Sequence, residues 1–251
     1  MKLRTKIPLL LVPLTVVPLL AVGWIAYNQL RSTSEQAMFS EMRMAQERLI
    51  TQMGTEIRTA KANIELFAKN TLVKKYVLTG DDEQRYALML APLLRVFRSY
   101  QEAFPDYYEI RILLPDGYED ARQTVNDIDN VSDEELESPV FRAMAAAGDR
   151  TITTILENPD NDTISLYVGK PLILRDEAVD PLRIPPKLRS YLVLTIDIEK
   201  LAQQIRNDPI GQTGYLLATD ANGTILFHRD AARIGTVIDH AILKMADNEY
   251  S

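Results

Sequence analysis

Cysteine is absent from the 251 residues, which excludes disulfides and thiolate metal sites while leaving the compartment open. Histidine is nearly absent too. His228 and His240 are the only two, and no Asp/Glu grouping at metal spacing accompanies them, so each reads as a surface or packing residue. The sequence has no nucleophile elbow, no phosphate-binding glycine loop and no kinase signature. It therefore reads as no enzyme, with no catalytic residue, no metal and no cofactor. Clustered cations are also lacking: 28 Lys and Arg are scattered among 35 Asp and Glu, for a net charge of −7. Nucleic acid is excluded as a partner on that ground, since phosphate binding needs grouped cations. The acidic run from Asp127 to Glu137 has neither the glycine nor the spacing of an EF-hand, and reads as a solvated loop.

What the chain does have is one long uncharged run. Ile7 to Tyr27 (IPLLLVPLTVVPLLAVGWIAY) is long enough, at about 1.5 Å per residue, to span a hydrocarbon core of roughly 30 Å. Pro8, Pro13 and Pro18 predict a kink rather than a break, because lipid offers a backbone few alternatives to helical pairing. Lys2, Arg4 and Lys6 crowd the N-terminal side. The positive-inside rule then puts residues 1–6 in the cytoplasm, makes 7–27 a single-pass anchor in the inner (cytoplasmic) membrane, and sends the rest to the periplasmic or extracellular side. A cleaved signal peptide is the rival reading, with small residues at Ala21-Val22-Gly23. Continuation of the run through Trp24 and Tyr27, placed as interface anchors in membrane lipid, favours an uncleaved anchor.

Beyond the membrane, apolar residues fall at Met38, Met42, Ala45, Leu49, Met53, Ile57, Ala60, Ile64 and Phe67, the period of a straight helix. This predicts one long amphipathic helix over 28–78. Its stripe packs on the protein's own sheet or, alternatively, pairs in a homodimeric coiled coil. Thr79-Gly80-Asp81-Asp82 breaks it, and a second helix runs from Gln84 to Phe104 with a bend at Pro92. The period then changes. Tyr107 to Leu114 and Tyr118 to Val125 read as a hairpin around Pro115-Asp116-Gly117. A short helix follows from Ser138-Pro139 to Ala147, with Gly148 past its end. Strands are expected at Thr151 to Leu156, Thr163 to Leu174 and Leu188 to Ile196, the last two joined by a loop from Arg175 to Lys187. Asp197 to Asn207 reads as a helix, and Gly214 to Asp220 with Thr224 to Arg229 repeats the strand, turn, strand theme around Asn222-Gly223.

An anchor, a long helix, a helix-flanked sheet with a PDG turn, the run PLILRDEAVDPLRIPPKLRSYLVLTIDIEKL and then GQTGYLLATDANGTILFHR together resemble a double Cache sensor domain. That family consists of paired PAS-like modules outside the membrane in bacterial receptors. The resemblance covers about residues 30 to 250. It implies an α+β fold, with the long helix on a mixed or antiparallel PAS-like sheet, a membrane-distal module over 79–207 and the start of a second, membrane-proximal module over 208–251. The family pattern continues with further strands, a second span and an output domain such as a histidine kinase, diguanylate cyclase or chemoreceptor, so the chain reads as truncated at its C-terminal end.

Strand alternation sets Tyr108, Ile110, Ile112 and Leu114 against the long helix, and Tyr107, Glu109, Arg111 and Leu113 on the opposite, pocket face. The same face collects Ser165, Tyr167 and Gly169, and Tyr191, Val193 and Thr195. Aromatic walls around one cation suit a small organic ligand, a carboxylate in particular, because arginine offers a bidentate fork. Arg111 is the leading candidate, with Arg122 and Arg142 behind it. Its bland alternative is a surface strand arginine paired with Glu109 or Asp120. Among amino-acid-binding members of the family, an arginine followed two and three places later by aromatics precedes the small-residue helix. Phe141 matches the last aromatic here, but Ser138 and Val140 stand where the arginine and the other aromatic belong. Asp197 resembles the acidic residue that closes the fifth strand, although helix capping explains it more simply. The expected role is a ligand-sensing input domain signalling through the long helix. The alternative is a membrane-anchored interaction ectodomain without a small-molecule ligand.

Overall fold

The computed structural model describes residues 3–125, 128–175, 185–198, 217–219, 223–228, 230–234 and 236–238, without side-chain detail for 3–15, 226 and 231. The described residues divide into two compact units, one of residues 3–50 and the other of the described residues from Thr51 onward. In the first unit the described residues belong to α1 (Leu3–Ala68), whose last turns lie in the second. The side chains of Val16, Leu19, Leu20, Trp24 and Ile25 are exposed. Among the described residues no helix is long and apolar enough to cross a membrane. Of the expected span Ile7–Tyr27, the backbone is helical throughout, and the side chains of 7–15 lie outside the described residues.

In the second unit the apolar stripe of α1 sinks progressively, from half-buried Met53 and Ile57 to buried Ala60, Ile64 and Phe67. The helix does not run to residue 78 as its period suggests. It ends at Ala68, and α2 (Thr71–Leu78) restarts after Asn70, whose backbone is extended and whose side chain accepts from the Leu72 N–H at 2.8 Å. An asparagine that satisfies a free N–H in this way starts a helix more readily than it continues one. The bend expected at Pro92 takes the form of a π turn, Arg85–Met89, between α3 (Asp82–Gln84) and α4 (Leu90–Ala103). Proline crowds the carbonyl four residues earlier and offers it no N–H, and a widened turn relieves both.

The sheet is antiparallel and five-stranded, in the order β2-β1-β5-β4-β3, with β1 (Tyr107–Leu113), β2 (Glu119–Thr124), β3 (Ile152–Asn158), β4 (Thr163–Leu174) and β5 (Lys187–Asp197). First and last strands meet at the centre, and the molecule is α+β. Helices α2 and α4 pack on β1, β2 and β5. An aromatic group fastens the end of α1 to them: Phe67 stacks on Tyr100 at 3.6 Å between centroids and meets Tyr107 edge-on at 6.4 Å. Glu65 of α1 also accepts from Lys170 Nζ of β4 at 2.7 Å and from Thr151 at 3.0 Å, and the lysine chiefly holds its carboxyl below the usual range.

The opposite face carries α5 (Pro139–Ala147). Its start is set locally, by Ser138 accepting from the Phe141 N–H at 3.1 Å and by proline in the first turn, and Gly148 ends it at φ +70°. Met144 lies directly over Gly169 of β4, where a Cβ would collide with its sulfur. In the region expected to open a second module, β6 (Ala218–Thr219) and β7 (Ile225–Phe227) form a two-stranded antiparallel ladder. Of the expected helix Asp197 to Asn207, residues 199–207 lie outside the described residues, as do 176–184 of the loop Arg175 to Lys187 and His240, while Asp197 closes β5. His228 is buried, and its Nδ1 accepts from the Asp230 N–H at 2.9 Å.

Candidate functional site

On the α5 face the sheet divides into an apolar half and a charged half. The apolar half packs Phe141 and Met144 of α5 against Tyr167, Tyr191 and Val193, with Phe141 edge-on to Tyr191 at 5.4 Å. Arg111 opens the charged half. Its side chain is 4% exposed, so it is no surface residue, and it meets three carboxylates: Glu135 Oε1 at 2.6 Å from Nη1, Glu109 Oε2 at 3.4 Å from Nε, and Glu119 Oε2 at 3.7 Å from Nη1. Of the two partners named for the bland alternative, Glu109 is one. Asp120 is not, because it faces the helices and pairs with Arg85 at 3.0 Å. Burial alone would push the Arg111 guanidinium down, but the carboxylates of Glu109, Glu135 and Glu119 hold it above its ordinary value.

Arg122, the partner of Arg111 across β1 and β2, donates from Nε to Glu109 at 2.7 Å and from Nη2 to Asp160 at 3.1 Å. Thr195 donates to Glu109 Oε2 at 2.8 Å, so this fully buried carboxylate joins both arginines and β5. Tyr167 is buried beside the cluster. Desolvation raises its hydroxyl pKa, Tyr108 adds to the rise and Arg111 opposes it. Arg142 is exposed and pairs with Glu137. Asp197 is exposed at the end of β5, where its N–H donates to the Asp106 carbonyl at 2.8 Å.

Tyr107 requires a correction. The pairing of β1 with β5 shifts register between Tyr107 and Glu109, and one residue of slip reverses the faces of everything before it. Tyr107 therefore turns to the helices, where its hydroxyl accepts from Asn63 of α1 at 2.8 Å, and Tyr108 takes the pocket side, with its hydroxyl 2.7 Å from Ser165 Oγ and 2.6 Å from Asn158 Nδ2. The acidic loop needs correcting as well. It is not wholly solvated, since Glu135 turns inward to Arg111 and Asn130 donates to Glu119 at 3.1 Å. Glu119, Glu135 and Asp160 thus belong to the charged cluster of the candidate site, and sequence reasoning missed them.

Glu119 is the unusual acid of the group. Burial raises its pKa to about 7, against the pull of Arg111 and Arg122 and with the push of Glu109 and Glu135; Asn130 faces it from the loop. A carboxyl with a raised folded-state pKa keeps a proton that the unfolded chain has released. Stability should therefore fall as pH rises from 4.5 to about 7 and level off beyond. Discounted for solvent at the loop edge, the effect should be about 1–2 kcal/mol. Urea unfolding of wild type and Glu119→Gln across that window should show the slope in the first and its loss in the second.

A separate groove of about 380 Å³ lies among Arg98, Gln101, Pro105, Gln123 and Val125, and none of the expected ligand residues lines it.

No family model matches the chain, and no curated protein matches it by sequence. Solved structures do. The sensor domain of the histidine kinase DctB of V. cholerae is similar at a TM-score of 0.59 over 84% of this chain and 75% of that one, with 12% identity. The ligand-binding domain of the Pseudomonas aeruginosa amino acid chemoreceptor PctC, solved in complex with GABA, is similar at 0.50 over 78% of each chain, with 17% identity. At such identities the likeness is one of fold, and the fold is that of Cache-type sensor domains.

Proposed function

We propose that the chain is the extracytoplasmic, ligand-sensing input of a membrane signalling receptor. It is anchored by Ile7–Tyr27, binds a small carboxylate on the α5 face of the distal module, and transmits through α1. The observation that carries this reading is the division of that face: a buried arginine between strands stands next to an aromatic and aliphatic wall from α5, the combination that recognises a charged head and an apolar tail. The binding of GABA by PctC, a protein of similar fold, supports a small organic ligand. The exposed apolar side chains from Val16 to Ile25 support the anchor, because lipid would cover them. The end of α1 supports transmission, since it joins the sheet through Phe67 of the apolar stripe and through Asn63 and Glu65 beside it. Dimer formation and a second, proximal module begun by β6 and β7 belong to the same proposal.

A second reading, an interaction ectodomain without a small ligand, is favoured by one observation: the carboxylates around Arg111 come from the protein itself. Thermal unfolding of the full chain in detergent separates the two. Propionate, γ-aminobutyrate, putrescine and L-amino acids would be tested at millimolar concentration. A ligand at 100 times its Kd adds about 2.7 kcal/mol, or roughly 5–10 °C in Tm for a domain of this size. No shift with any of them would favour the interaction ectodomain.

A further inference from the structure

Residues 128–138, between β2 and α5, are laid against the β1–β2 turn by backbone pairing. Glu135 N–H donates to the Gly117 carbonyl at 2.8 Å and Glu119 N–H to that of Asp133 at 2.9 Å. Gly117 makes room for this contact: its φ is +88°, and a Cβ there would stand 2.7 Å from Leu136 N. The pairing aims Glu135 at Arg111. Farther along, Arg122 donates to the Ile128 carbonyl at 3.1 Å, and Asp160 accepts from the Val131 N–H at 3.0 Å. Val131 and Leu136 are exposed, so charge and backbone bonds, not apolar packing of these two side chains, hold the loop down.

The charges around the two arginines limit what can enter. Glu109, Glu119, Glu135 and Asp160 surround two guanidiniums, and even with Glu119 protonated the other three carboxylates outnumber them, so a further anion would have to be buried in an already acidic cluster. One carboxylate must leave first. Glu109 is tied to Arg122 and Thr195, and Asp160 to Arg122 and Val131. Glu135 has the most exposed side chain of the four, 15% against 0%, 6% and 6%, so it reaches water with the least rearrangement.

We propose that Glu135 is a built-in counterion of Arg111, which a carboxylate ligand must displace, so that binding releases residues 128–138 between β2 and α5 instead of closing them. The proposal rests on the reading of this face as the ligand site and adds the direction of the switch. A site blocked by its own side chain binds more weakly in proportion to the fraction of time it is free.

The test uses the detergent-solubilised full chain, with propionate as probe. Glu135→Gln keeps the size of the side chain and removes its charge. It should bind propionate about tenfold or more tightly than wild type, and the amides of Glu119 and Glu135 should exchange with deuterium faster. Glu135→Asp, which keeps the charge but falls a methylene short, should be intermediate and guards against a folding defect in the first variant. Equal affinity in wild type and Glu135→Gln would overturn the displacement while leaving the receptor reading intact. If neither protein binds propionate yet Glu135→Gln quickens exchange, the pair is a structural fastening only, and the carboxylate reading falls with the proposal.

Discussion

Arg111→Met should destabilise the domain by about 3–5 kcal/mol, the typical effect of leaving a buried charge without its partner. Methionine replaces the aliphatic stem, so the loss is electrostatic. Glu109, Glu119 and Glu135 would face one another with Arg122 as the remaining guanidinium among the described contacts. Glu119, already raised to about 7, would take up a proton more readily still, and the deficit should be smaller at acid pH. Urea midpoints at low and neutral pH measure both effects. The double variant Arg111→Met, Glu135→Gln should recover part of the loss, because it removes one orphaned carboxylate, and the recovery gives the coupling between the two residues. An unchanged urea midpoint in Arg111→Met would mean that the cluster is solvated and contributes little.

The cluster also marks where sequence reasoning reaches its limit. Local signals carry far: β4 falls on the expected Thr163 to Leu174, α5 begins at the proline after its serine cap, and Gly117 takes the positive φ its turn needs. These features depend on residues a few positions apart. The faces of Tyr107 and Tyr108 do not, because the slip that exchanges them lies in the pairing of β1 with β5, almost ninety residues on. A broken alternation, with two tyrosines side by side, was the available hint. The meeting of Glu135 with Arg111 depends on the backbone pairing of the loop with the β1–β2 turn, and nothing in a run of acidic residues says which one turns inward. For the same reason a cation on a pocket face can be expected from alternation, while the carboxylates that surround it cannot.

The second large effect is expected at the other end of the proposed signal path. Phe67→Ala should cost about 3–5 kcal/mol, as truncation of a buried phenylalanine does. Phe67 is 1% exposed and lies against Tyr100, Phe104 and Tyr107, so the substitution removes the ring on which α4, β1 and the last turn of α1 converge. The flanking bonds, Asn63 to Tyr107 and Asn70 to Tyr100, keep their partners, and the residual cavity should be only partly refilled. Calorimetry of the full chain in detergent should place the loss in the transition of the second unit. If α1 reports the state of the α5 face, Phe67→Leu is the more telling variant: it keeps most of the volume and loses the ring stacking of about 0.5–1.5 kcal/mol. Deuterium exchange of α1 amides from residues 60 to 68 should then respond less to ligand than in wild type while ligand affinity is nearly retained. Affinity and helix response falling together would assign Phe67 to the fold of the module and not to its transmission.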